Sequence, residues 1–85
     1  MSEANQRPLR AVAAAYAAAR ADYKAAKADS EAAYNRLEAS PETLEYQIDW
    51  NVARRAEAAA ALRFSRAMEA YRDAGGYVGG PGPDE

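Results

Sequence analysis

The sequence has no cysteine and no histidine, only one phenylalanine and one tryptophan, and no glycine before residue 75. Without thiols or imidazoles there is no disulfide, no thiol nucleophile, no side chain that ordinarily titrates near neutral pH, and neither of the commonest zinc ligands. Large aliphatics are scarce as well. Leu, Ile, Val and Phe together number nine of the 85 residues, too few for an ordinary aliphatic core. No apolar run approaches the roughly 18 residues of a membrane span. The first ten residues, MSEANQRPLR, contain no apolar h-region of an export signal. These absences set the expectation of a soluble, cytoplasmic protein, with a virion-associated one as the other option, that uses no metal, no cofactor and no small-molecule substrate.

What is present is alanine, which supplies 24 of the 42 hydrophobic residues. Alanine is the strongest helix former. A formal net charge of −2 is also far from the strong self-repulsion that accompanies disorder. Punctuation divides the chain. Pro8 suits the first turn of a helix, Ser40 followed by Pro41 repeats the signal, and all five glycines fall within the last eleven residues together with Pro81 and Pro83. The expected organisation is a lead-in over 1–7, a helical hairpin over 8–74 (helix 8–38, turn 39–41, helix 41–74), and a flexible Gly/Pro tail over 75–85. The fold class is all-α: an antiparallel two-helix hairpin, coiled-coil-like and Ala-rich, that associates into a larger helical assembly.

Three-four spacing marks the seam of that hairpin. Helix 1 carries Leu9, Val12, Tyr16, Ala19, Tyr23, Ala26, Ser30, Ala33 and Leu37; helix 2 carries Tyr46, Trp50, Ala53, Glu57, Ala60, Phe64, Ala67 and Tyr71. Pairing residues whose numbers sum to 83 sets Tyr16 against Ala67, Ala19 against Phe64, Tyr23 against Ala60 and Ala33 against Trp50. Leu37 then meets Tyr46, and Val12 meets Tyr71. Large opposite small fills a seam without voids. Glu57 is the one charged residue on it. The competing arrangement turns Leu44, Ile48, Val52 and Leu62 toward helix 1 and leaves the aromatics half exposed.

With the aromatics inside, each helix has a second stripe roughly 160° around from the first. On helix 1 it is alanine alone (Ala14, Ala18, Ala21, Ala25, Ala28 and Ala32), which helix propensity explains without a partner. On helix 2 it is Leu44, Ile48, Val52, Ala59 and Leu62, interleaved with Arg55 and Arg66. Four large aliphatics on one helix face form a patch that monomers seldom leave bare. Charge is segregated too: residues 7–27 carry +4, residues 28–50 carry −5, and residues 51–72 carry +3. A folded hairpin is therefore acidic at its turn and basic at its open end. Two hairpins side by side attract when their turns lie at opposite ends.

The functional expectation is a non-enzymatic protein-interaction module that binds itself as an antiparallel dimer or lies against a larger protein, as a structural subunit or a small inhibitor or adaptor. Its partner-binding residues are Leu44, Ile48, Val52, Arg55, Ala59, Leu62 and Arg66. The vocabulary of Ala, Arg and Gly is compatible with a bacterial or phage accessory protein. An alternative is a nucleic-acid-binding hairpin dimer that uses the arginines of helix 2, an architecture that resembles the plasmid-copy-control RNA binders without sharing a motif. The acids Glu38, Glu42, Glu45 and Asp49 lack the glycine-bearing loop of an EF-hand and read as helix-end charges. In the tail, Tyr77 and Val78 are the apolar residues of a candidate docking segment.

Overall fold

The computed structural model describes residues 3–76, which form two helices, α1 (Glu3–Ala39) and α2 (Leu44–Asp73), packed on each other. Ring contacts join Tyr16 to Tyr71 near one end and Tyr34 to Trp50 near the other, so the helices run antiparallel. Thirty-seven helical residues in α1 span about 55 Å at about 1.5 Å each. The molecule accordingly measures 60 × 21 × 15 Å. No strand occurs among the described residues. The tail residues Tyr77 and Val78 lie outside them.

Helix limits differ from the sequence expectation at all four ends, by a single residue at the two C-terminal ones. Helix α1 begins at Glu3, five residues ahead of Pro8. The added residues include Ala4, Gln6 and Arg7, which are good helix formers. Its last residue is Ala39, one beyond the expected end. Helix α2 begins at Leu44, because Ser40 and Pro41 open a turn and not a helix. The Thr43 amide donates to the Ser40 carbonyl at 3.1 Å, and proline sits at the second turn position, where its fixed φ is an advantage. Thr43 is then the N-cap, with extended backbone at φ −82° and ψ 109°. Its hydroxyl makes no capping bond because it pairs with the Ser40 hydroxyl at 2.6 Å. The Gln47 side chain closes the turn by donating to the Pro41 carbonyl at 2.8 Å.

Helix α2 ends at Asp73 through a glycine-dependent cap. Gly75 has φ +97°, a left-handed conformation that an L side chain resists. This lets the Gly75 amide donate to Arg72 at 3.0 Å and the Gly76 amide to Tyr71 at 2.8 Å, which satisfies carbonyls that would otherwise be orphaned.

The interface between the helices is narrow. Among the described residues only Ser30, Ala33 and Ala60 are buried, and no large side chain is fully so. The three-four positions from Leu9 to Leu37 and from Tyr46 to Tyr71 are all buried or half-buried. Within this strip four rings alternate between the helices in the order Tyr71, Tyr16, Phe64, Tyr23. Their centroids are 5.1, 5.5 and 5.7 Å apart, with interplanar angles of 6°, 18° and 19°. The spacing has a simple origin. Tyr16 and Tyr23 are one heptad apart, about 10.5 Å along the axis, and so are Phe64 and Tyr71. A ring from the other helix entering midway sits about 5.2 Å from each neighbour. Small residues at Ala67, Ala19 and Ala60, half-buried or buried on the same strip, leave room for the rings of Tyr16, Phe64 and Tyr23 to lie between their neighbours.

Candidate interaction face

The side of α2 that faces away from α1 carries the most exposed of the large apolar side chains of the described hairpin. Leu44 is 66% exposed, Val52 63%, Ile48 53% and Leu62 52%. Arg55, Ala59 and Arg66 are exposed on the same face. The arrangement that would have turned the aliphatics toward α1 does not occur, because the aromatic column already fills the seam. The alanine stripe of α1, Ala14 to Ala32, is also exposed.

Acids and bases border the α2 face in order. Glu42, Glu45 and Asp49 lie beside its first half, Arg55, Arg63 and Arg66 follow, and Glu69 and Asp73 close its last turns; all eight are exposed. Glu57 sits half-buried on the seam side, away from this face.

Two shallow grooves flank the helix–helix seam near the turn. One, of about 440 Å³, is lined by Ser30, Glu31, Tyr34, Asn35 and Trp50. Here the Tyr34 and Trp50 rings meet at 5.7 Å with a 53° tilt, and the Arg54 guanidinium lies 5.2 Å from the Trp50 centroid. The other, of about 310 Å³, has an alanine floor (Ala26, Ala53, Ala56) with Asp29, Asp49 and Val52 at its rim. Both are open depressions and not enclosed pockets.

Comparison with known proteins returns no matching family model, no matching curated protein and no matching solved structure. The molecule's own surface must carry the functional reading. Among the described residues no helix is long and apolar enough to cross a membrane, and no group of three or more His, Cys, Asp or Glu side chains is gathered for a metal ion. Glu38, Glu42, Glu45 and Asp49 are each exposed.

Sequence reasoning passed over Tyr34, which is 45% exposed and packs on Trp50. The available signal was its place next to Ala33, the seam residue opposite Trp50. The Arg54 contact was legible as an i, i+4 pair with Trp50 that joins a cation to the strongest aromatic acceptor.

Proposed function

We propose that this protein is a non-enzymatic interaction module: a coiled-coil-like hairpin that presents the outer face of α2 to another protein surface, its own or a larger partner's. One observation carries the reading. Leu44, Ile48, Val52 and Leu62 are each more than half exposed on a single helix face, in a chain with few large aliphatics to leave in water. A face of this kind lowers the free energy of association by about 25 cal/mol for every Å² of apolar surface it removes from solvent. A narrow seam with no fully buried large side chain also gives the hairpin a reason to gain stability from a partner. A structural subunit and a small inhibitor or adaptor both fit, in a cytoplasmic or virion-associated setting.

Nucleic-acid binding is the weaker reading. Arg54 is engaged with the Trp50 ring, and Arg55 and Arg66 alternate with aliphatics where a phosphate-tracking surface favours contiguous cations.

A photo-reactive amino acid at Val52, irradiated in the cell of origin, tests the reading. A discrete protein adduct that disappears when Leu62 is changed to Glu is the expected result, with no adduct from the same probe at Ala25 on α1. Absence of a Val52 adduct overturns the interaction module, and a Val52 adduct to nucleic acid replaces it with the alternative.

A further inference from the structure

We infer that the occupant of the α2 outer face is α2 of a second copy of this chain, antiparallel to the first about a two-fold axis near residues 53 and 54. This inference rests on the interaction reading above and names its partner. It follows from the order of charge along the exposed face. Glu42, Glu45 and Asp49 border the first half, Arg55, Arg63 and Arg66 the stretch that follows, and the acids Glu69 and Asp73 end the face in the last turns of α2. A parallel copy would set each group against itself. An antiparallel copy sets each acid of the first half near an arginine, two-fold symmetry repeats every such pair, and Glu69 and Asp73 fall beyond the start of the partner's α2. One surface thus holds both halves of a complementary pattern, which is what an isologous interface requires and what a foreign partner gives no reason for.

The three-four spacing of the face, two of whose positions are Glu45 and Arg55, selects a register. Positions 45, 48, 52, 55, 59 and 62 alternate by three and four, so facing residues pair when their numbers sum to 107. Ile48 then packs over the partner's Ala59, repeating the large-on-small logic of the hairpin seam. Val52 meets the methylene stem of the partner's Arg55, whose guanidinium reaches toward Asp49 on the first copy. Leu62 lies against the partner's Glu45 stem, with the partner's Leu44 beside it. Glu45 pairs with the partner's Arg63, and Glu42 with the partner's Arg66. The two Arg55 side chains are the one like-charge pair near the axis, offset by three residues, about 4.5 Å along it.

The absence of native cysteine allows clean single-site labelling. Spin labels are placed one at a time through Asn51→Cys and Glu69→Cys, both at exposed positions. The expected mass by light scattering is twice 9.2 kDa. Labels at 51 should lie within about 25 Å of each other, and labels at 69 about 46 Å apart along the axis, from about 1.5 Å of rise per residue. Two short distances mean a parallel dimer and overturn the inference, as do two long ones, which place the contact on another face. A monomeric mass at the labelling concentration also overturns it; a Val52 photo-adduct to a different protein would then leave the broader reading intact. A second series addresses register. Arg63→Glu with Arg66→Glu should weaken self-association at least about tenfold. Adding Glu42→Arg and Glu45→Arg to the same chain should restore it, with circular dichroism verifying that each variant stays helical. A helical four-fold variant that remains dissociated overturns the proposed pairing.

Discussion

At the scale of single residues, the two glycines that end α2 do different work. Gly75 supplies a left-handed φ with open space around its α-carbon, whereas a methyl group on Gly76 would fall 2.5 Å from ring carbons of Tyr71. Gly75→Ala should therefore cost about 1 kcal/mol of backbone strain, read as a fall of about 4 to 8 °C in Tm. Gly76→Ala should cost more, since Tyr71 is held by its stack on Tyr16 and has little freedom to yield. The same Gly76→Ala change made beside Tyr71→Ala should be nearly neutral. That double-mutant cycle separates ring crowding from a general cap effect. Glu57 presents the opposite case. A carboxylate half-buried on an apolar seam loses hydration without gaining packing. Glu57→Leu should raise Tm by about 4 to 8 °C, about 1 kcal/mol for a domain of this size. A lower melting temperature would mean that the carboxylate has a stabilising partner.

At the scale of the helices, stability concentrates in the aromatic column. Phe64 stacks on both Tyr16 and Tyr23, so Phe64→Ala cuts the column at its centre. The expected loss is about 2 to 3 kcal/mol, below the range for a fully buried ring because this one is half-buried. Thermal denaturation followed by circular dichroism measures it. The exposed alanines of α1 are the contrasting case: Ala25→Lys should change stability by less than about 0.5 kcal/mol and leave the oligomeric mass unaltered.

Most of this arrangement was legible in the order of residues. Heptad spacing of large side chains against alanine picks out Tyr16, Tyr23, Phe64 and Tyr71 as facing residues, and the outward place of Leu44, Ile48, Val52 and Leu62 follows once the aromatics fill the seam. The ring-on-ring stacking was not legible, because layer pairing matches Tyr16, Tyr23 and Phe64 with alanines and Tyr71 with Val12, and is silent about the neighbours above and below. Helix ends were not legible either. Ser40 and Thr43 are both plausible caps, and only the hydrogen bonds of the turn decide between them. The α2 face could be located from sequence, but its exposure required knowing where α1 lies.

At the scale of the whole molecule, the charge distribution would make the proposed assembly sensitive to solution conditions. The turn end carries the acids of residues 28–50 and the open end the bases of residues 7–27 and 51–72. If copies pair head to tail, salt screens the attraction between them over about 10 Å at 0.1 M. Raising salt from low to physiological strength should weaken the dimer several-fold without abolishing it, since apolar burial is not screened. Sedimentation at two salt concentrations gives this directly. Melting temperature should also rise with protein concentration, the signature of stability shared between copies; a concentration-independent Tm would indicate a self-sufficient monomer.

The single indole and the stacked ring column lie toward opposite ends of the rod, with Tyr34 and Tyr46 on the indole's side. The single indole lies near the turn beneath a guanidinium, while the near-parallel stack of three phenols and one benzyl ring occupies the opposite half. Unzipping from the free ends should therefore extinguish exciton-coupled tyrosine ellipticity before tryptophan emission shifts to the red. The protein carries two native optical gauges, and the order in which they respond to heat or urea reveals the direction in which the hairpin opens.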